Sequence, residues 1–413
     1  MASESQSRDR PLSPVWDALR IMSFRWFFVG RLTSYVSFQT EALAQGWLVY
    51  QLTGSALAMG SVSLGRGLAM VVFSSIGGLL CDRVPKKDVL IAARAGRFVA
   101  HVLILWLLVT GQIAVWHLIL AAVWSGMMLG IMMPAEQSII GELVPSRTLL
   151  NAVSLSIAGT AIMGTLTYLG AGAITEALGV EAAYLVVVVF HAVTLLTYLP
   201  LPRPAATGPA KSGRQGLFDG IAYARHRPAL LALLATYCVW MLLSGSYRTF
   251  MPKLAGERFA LDAAGLGVLL AAPQFGGMLG SLAVASLGNT PHKRRLMIGA
   301  AVAAGCGLGM FPLLGTPFAA VLILMGVGAL GEIFRACNNA LIQQQTDKGF
   351  RGLIMGMYIL VNGLGPLGAI PAGLIADQHG VAVAVAVQGG LLVVAFAVWS
   401  LSTMGARRGT ASR

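Results

Sequence analysis

Glu41 and Glu332 are carboxylates set inside long apolar stretches of the chain. An ionisable group in such a stretch costs a few kcal/mol in lipid, so it marks a functional position. A carboxylate in dry surroundings can bind and release a proton near neutral pH. Six arginines share the setting: Arg31, Arg66, Arg94, Arg97, Arg248 and Arg335. At 100° per residue, Arg31, Ser34, Phe38, Glu41 and Gln45 fall within about 80° of one helix face. Glu332, Arg335, Asn339 and Gln343 share a face of about 80° on another helix, and Tyr237, Trp240, Ser244, Tyr247, Arg248 and Met251 span about 100° on a third. Such stripes suit a cavity for a small molecule, with Glu41 and Glu332 as proton-coupling groups and the other polar residues as substrate contacts. Each has a plainer alternative. Glu332 and Arg335, at i and i+3, can neutralise one another. Glu41 has no basic residue at i±3 or i±4, so its structural partner would lie on another helix, such as Arg335 or Arg248. Arg31 either holds an anion or snorkels to the membrane surface. Arg66 is expected to bond backbone carbonyls between helices. Tyr237 and Trp240 either stack a planar ligand or pack the core.

The elements that carry these residues follow from composition. The 413 residues are 56% hydrophobic, include 50 Gly and are 11% charged, against about 25% charged in soluble domains. That excludes a disordered chain, a nucleic-acid-binding domain and an ordinary soluble enzyme. A membrane-spanning helix needs about 20 apolar residues. Twelve spans are expected, starting near Trp26, Ala56, Val89, Trp116, Leu149, Ala182, Pro228, Ala264, Leu296, Pro317, Gly352 and Val381. The expected fold is therefore an all-α membrane protein of two six-helix halves, 26–201 and 228–402. A polar linker, 202–227, joins them, and 1–25 and 403–413 flank them.

Alternate connections hold the basic residues unequally. Twenty-one of the 29 Lys and Arg fall on one side, and only Lys253 and Arg258 on the other. Short basic loops stay in the cytoplasm. Both termini are thus expected there, in a multi-pass protein of the cytoplasmic (inner) membrane, and the net charge of +13 needs no nucleic-acid partner. The first 25 residues lack the apolar core of a signal peptide. Cys81, Cys238, Cys306 and Cys337 are too dispersed for structural disulfides. The six histidines have no metal-ligand spacing, so no metal is expected. Gly208-Pro209-Ala210-Lys211-Ser212 lacks the Gly before Lys that a phosphate loop needs. Gly305-Cys306-Gly307-Leu308-Gly309 follows no strand, so it is no dinucleotide fingerprint. No cofactor is expected, and the driving force would be an ion gradient, the proton gradient first.

The halves also echo each other. Ala171 to Val180 and Ala372 to Val381 share Ala-Gly-x-Ile-x-acid-x-x-Gly-Val, with Glu176 matching Asp377. A second correspondence sets Gly60 on Gly267 and Lys86-Lys87 on Lys293-Arg294. Parallel six-helix repeats are the architecture of a rocking transporter, with its substrate site between the halves at the membrane midplane.

The loop after the second span reads Gly78-Leu79-Leu80-Cys81-Asp82-Arg83-Val84-Pro85-Lys86-Lys87. It resembles the Gly-x-x-x-Asp-Arg-x-Gly-Arg-Arg signature of the major facilitator superfamily, with Pro85 in place of the usual Gly. The stretches Trp47 to Ala58, Pro134 to Pro145, Asn151-Ala152 and Arg351 to Gly356 are similar to its drug:proton antiporter-3 group. That group includes enterobactin exporters, macrolide efflux pumps and lysophospholipid transporters. Antiporters of the superfamily often carry Gly-Pro in span five; here that place is Gly164-Thr165, and Gly365-Pro366 sits in span eleven.

The resemblance implies a cavity lined by spans one, four, seven and ten. It also implies a cytoplasmic gate at Gly78, Asp82, Arg83, Lys86 and Lys87, with Gly78 in close helix contact and Asp82 capping the start of span eleven. The function expected is proton-coupled efflux of an amphipathic small molecule, drug or siderophore-like, by a monomer. One competitor is a lipid or lysophospholipid transporter with a lateral opening. The other is a non-transporting sensor or scaffold whose polar stripes are sealed by internal pairing.

Overall fold

The computed structural model describes residues 17–203, 213–287 and 290–411, without the side chains of Asp82, 213–218, Leu287, Lys348 and 401–411. The described residues are helical throughout, with short connections. In chain order the helices are α1 (Met22–Thr53), α2 (Ala56–Arg83), α3 (Lys86–Val109), α4 (Val115–Leu143), α5 (Ser146–Tyr198), α6 (Gly213–Arg225) and α7 (Pro228–Ser244). There follow α8 (Met251–Lys253), α9 (Ala263–Leu287), α10 (Lys293–Met310), α11 (Pro317–Gln345), α12 (Arg351–Asn362), α13 (Ala369–His379) and α14 (Val381–Ala411).

Ten helical stretches among the described residues are long and apolar enough to cross a membrane. The chain is an integral multi-pass membrane protein. α1 is outside that count because its middle carries Ser34, Ser37, Gln39, Thr40, Glu41 and Gln45, all buried. α5 runs for 53 residues but breaks at Gly179, whose φ of 88° and ψ of 169° are not helical. A residue with a Cβ adopts that backbone only under strain. α12 and α13 are joined through the 3-10 turn Gly365–Gly368, where Pro366 withholds a backbone donor. The linker is helical in part, since α6 lies within it and packs Gly220 against Leu353 and Met357 of α12.

α1 to α5 pack into one bundle and α7 to α14 into another; α5 lies along α9 and α2 along α13. Small residues set the closest crossings, because without a hydrophobic drive between helices in lipid, close packing supplies the attraction. A Cβ on Gly126 would sit 2.1 Å from the Arg66 carbonyl oxygen, fixing α4 onto α2. One on Gly276 would sit 1.9 Å from the Met325 carbonyl oxygen, fixing α9 onto α11. Between the bundles, Gly172 abuts Gly267 and Gly373 abuts Ala56 and Leu57. The segment 171–180 therefore meets the start of α9 across the interface, and the segment 372–381 meets the start of α2.

The helices end in two layers. The basic end carries Lys86, Lys87, Arg203, Arg227 and Arg351; Arg227 donates to Asp347 at 2.5 Å and Arg203 to Asp88 at 2.6 Å. The other end carries Gly54, Ser55, Lys253 and Asp377, which bond to one another.

Candidate functional site: a polar cleft between the bundles

Adjoining cavities of about 640, 360 and 400 Å³ follow the middle of the molecule and share Asn362. The largest is lined from α7, α11 and α12, with Tyr237, Glu332, Arg335, Asn339, Gln343 and Arg351 among its walls. Gln343, Arg335 and Arg351 are exposed there, so it opens at the basic end. The central one, of 360 Å³, joins Tyr35, Phe38 and Gln39 of α1 to Trp240, Ser244, Arg248, Glu332 and Arg335. The innermost, of 400 Å³, reaches Gln45, Val49, Met59, Arg66 and Arg248. Val49, Met59 and Gln45 are buried. The cleft is thus open at the basic end and closed at the other.

Parts of the three expected stripes face this cleft; Tyr247 and Arg248 lie past the end of α7, in the 3-10 turn Ser246–Phe250, and Met251 lines none of its cavities. Glu332 and Arg335 pair at 3.4 Å and both line the two outer cavities, Arg335 half exposed. Pairing and cavity lining, posed as alternatives from the sequence, coexist. Gln343 donates to Asn339 at 2.6 Å. Tyr237 donates to Asn362 at 2.6 Å and stacks on Tyr358 at 3.8 Å; Trp240 stacks on Phe334 at 4.4 Å. Both rings are almost fully buried and each stacks on an aromatic neighbour, as the packing alternative has it, while Tyr237 and Trp240 each still border a cavity. Ser244 donates to the Trp240 carbonyl at 2.7 Å. Arg31 and Ser34 line none of these cavities; Ser34 is buried, and its carbonyl accepts from Ser37 at 3.0 Å.

Glu41 lies just behind the innermost cavity and is 1% exposed. Its partners are neither Arg248 nor Arg335. Arg97 of α3 donates to Oε2 at 2.6 Å and Arg66 of α2 to Oε1 at 2.8 Å. Ser125 of α4 donates to Oε1 at 3.2 Å and accepts from Arg97 at 3.2 Å. His101 Nε2 lies 3.2 Å from Oε2. Arg66 also donates to Gln45, whose amide donates to the Leu118 carbonyl at 3.2 Å. Phe38 lies beneath both guanidiniums, 5.8 Å from Arg66 and 6.0 Å from Arg97. Arg66 therefore pairs with a carboxylate instead of bonding carbonyls as expected. The reason is electrostatic: an isolated buried charge is far costlier than a paired, hydrogen-bonded one. Glu41, His101 and His191 bring ligand atoms within 4.8 Å of one another. Both carboxylate oxygens already bind guanidiniums, which would repel a metal cation, so the donor set fits a metal poorly.

Arg97, His101 and His191 carried no role in the sequence reading. Their signal was present, because Arg94, Arg97 and His101 are spaced three and four apart and share about 60° of one helix face. The basic-end motif departs from expectation in one part. Gly78 has open space where a Cβ would go, whereas Gly77 abuts the carbonyls of Gly130 and Ile131. The close contact is one residue earlier than expected, and Gly78 instead lines an apolar cavity of about 410 Å³ between α2, α4 and α12. Lys86 pairs with Glu142, and Lys87 donates to the carbonyls of Leu199 and Leu201 at 2.6 and 2.7 Å. Arg83 is exposed. The Asp82 side chain lies outside the described residues, and with it the expected cap on span eleven.

The closed end is held by two carboxylates from the repeated segments. Asp377 accepts from the Ala56 N–H at 2.7 Å, the Leu57 N–H at 3.0 Å and the Ser55 hydroxyl at 2.7 Å, at the start of α2. Lys253 lies 3.4 Å from it and donates to the Gly54 carbonyl. Glu176 accepts from the Ala263 N–H at 3.1 Å, at the start of α9. Each bundle thus supplies an acid that caps a helix of the other, where free N–H groups and the helix dipole favour negative charge.

Two helical bundles enclosing a polar cleft that opens at one end only are the build of a membrane transporter. The chain belongs to the Major Facilitator Superfamily, whose description matches residues 27–369. It is a transporter and not an enzyme. Among curated proteins it is similar to the enterobactin exporter EntS of Shigella boydii serotype 18 (strain CDC 3083-94 / BS512), 25% identical over 376 residues and 90% of each chain. The same figures hold for the enterobactin exporter EntS of Escherichia coli O6:K15:H31 (strain 536 / UPEC). Among solved structures it resembles the nucleoside transporter NupG, with a TM-score of 0.70, 14% identity, and 91% of this chain and 98% of that one covered. The peptide transporter POT in complex with sulfate matches with a TM-score of 0.74 and 14% identity over 95% and 98% of the two chains.

Proposed function

We propose that the protein exports an amphipathic small molecule, drug or siderophore-like, from the cytoplasm in exchange for protons by alternating access. The observation that carries this reading is the cleft, lined by Arg248, Glu332, Arg335, Asn339 and Gln343, open at the basic end and capped shut at the other. The basic end faces the cytoplasm by the charge rule, with both termini there, so this is the state that loads substrate from inside. The membrane is the cytoplasmic (inner) one. Twelve spans follow if α1 crosses and α5 crosses twice; 53 residues of helix would measure about 80 Å against a hydrocarbon core of about 30 Å. Residues 26–201 and 228–402 then form the two rocking halves, and a monomer suffices. Glu332 and Glu41 are the proton-coupling groups, and Asp82, Arg83, Lys86 and Lys87 close the cytoplasmic side when the halves rock.

The test is flux of enterobactin, the compound that names the curated relatives, in proteoliposomes under an imposed pH gradient. Wild type should accumulate it against its gradient, and Glu332→Gln should lose that coupling. If collapsing the pH gradient leaves wild-type accumulation unchanged, proton exchange is wrong. A second reading, transport of a lysophospholipid, is favoured by the apolar cavity between α2, α4 and α12, which has Met133, Leu353, Met355 and Met357 in its walls. Lysophospholipid flux that persists without a pH gradient would select it.

A further inference from the structure

The hydrogen bonds around His101 do not close without an additional proton. Its Nδ1 lies 2.7 Å from the Arg97 carbonyl oxygen. A carbonyl only accepts, so Nδ1 carries a hydrogen and donates it. Nε2 lies 3.2 Å from Glu41 Oε2. An ionised carboxylate also only accepts. A neutral ring with its hydrogen on Nδ1 would therefore set a lone pair against a carboxylate oxygen in a dry interior. One more proton, on Nε2 or on Oε2, turns that repulsion into a hydrogen bond.

We infer that Glu41 and His101 hold one proton between them, and that this pair is a proton-binding site of the transport cycle that acts together with Glu332. The second clause rests on the proton-coupled reading above; the first does not. The pair is enclosed on every side. Arg66 faces it from α2, Arg97 from α3 and Ser125 from α4, while Gln45 and Phe38 lie on α1 beside Glu41. His191, from the part of α5 after Gly179, lies tilted against His101 with ring centroids 4.8 Å apart. Arg94, fully buried one turn from Arg97, reaches Glu136 at 3.6 Å. The nearby guanidiniums repel the extra proton, and the hydrogen-bond geometry retains it.

The route out is short. Arg66 and Gln45 contact the pair's carboxylate or its partners and also line the innermost cavity. When the proton leaves, Glu41 is ionised and His101 is neutral with its hydrogen on Nδ1. The bond between α1 and α3 through His101 is then lost, and only the Arg97 bond remains on Oε2. Because α1 walls the cavity, the protonation state bears on the shape of the substrate site.

The experiment uses the full chain in liposomes, with ¹⁵N-labelled histidine and ¹³C-labelled glutamate carboxyl groups, read by solid-state NMR across about pH 4 to 10. His101→Gln and Glu41→Gln assign the signals. Gln at 101 keeps an N–H donor towards Glu41 and removes the titration, so it preserves the packing. The expected result is one shared transition, with the His101 ring nitrogens and the Glu41 carboxyl changing at the same midpoint. Independent midpoints, or a His101 ring whose hydrogen sits on Nε2 alone, overturn the inference. The second arm is enterobactin flux. One exchanged proton sustains about tenfold accumulation per unit of pH gradient. His101→Gln should abolish that accumulation while exchange without a gradient continues. Unchanged coupling in His101→Gln overturns the assignment of this pair to the cycle. Wild-type flux that ignores the gradient overturns the proton-coupled reading and leaves the NMR result standing.

Discussion

Replacing Asp377 with Ala removes the acid that ties α13 to the start of α2. Two backbone N–H groups and the Ser55 hydroxyl lose their acceptor. An N-terminal cap contributes about 1 kcal/mol, and a negative charge beside a helix N-terminus adds about 0.3–1 kcal/mol. The Lys253 contact is partly solvated, so it adds at most about 0.5 kcal/mol. The bonds join the two bundles, so they exist only while this end is closed. Their loss of about 2 kcal/mol in all should shift the balance towards opening at this end by about thirtyfold. Spin labels at Gln51 and His379, both exposed on the two sides of the contact, report the change by double electron–electron resonance. In Asp377→Ala the long-distance population should grow and the short one shrink. A folded variant with an unaltered distance distribution would refute the claim that the cap holds the end shut. Glu176→Ala removes a single N–H contact on a different helix pair. Its effect should be smaller and should add to the first.

Glu41→Ala leaves Arg97 buried with no carboxylate. The expected loss is about 3–5 kcal/mol, read as a fall in unfolding temperature in detergent. Glu332→Gln and Arg335→Gln break a half-exposed pair and should change stability by less than about 1 kcal/mol. Both should still reduce flux, because these side chains wall the cleft. Gly276→Val forces a side chain into the Met325 carbonyl, so α9 and α11 must part; reduced membrane-inserted, folded protein by size-exclusion chromatography is the expected outcome. Thr165→Ala should leave both stability and flux near wild type, since no hydrogen bond among the described residues engages its hydroxyl.

The sequence by itself determined where the helices run. Eleven of the twelve expected span starts lie within four residues of an observed helix start, from Met22 for Trp26 to Val381 itself, while Ala182 falls inside α5, just past its break at Gly179. Lipid makes that possible, because every backbone group must be satisfied within its own helix, so apolar length alone marks a span. The stripes on α1, α7 and α11 were legible for the same reason: polar side chains at helical spacing have no place in hydrocarbon. The repeat was legible too, down to the matched acids Glu176 and Asp377. Which helices face one another was not, because pairing across helices leaves no trace in local spacing. Only the tertiary structure set Arg66 and Arg97 against Glu41, put His101 beside its Oε2, and turned the two repeat acids into caps on the opposite bundle. It also moved the close contact from Gly78 to Gly77, a shift of 100° around one helix, which is the difference between facing α4 and facing a cavity. Chemistry within one helix is written in its period, and chemistry between helices depends on packing angles that many distant residues set together.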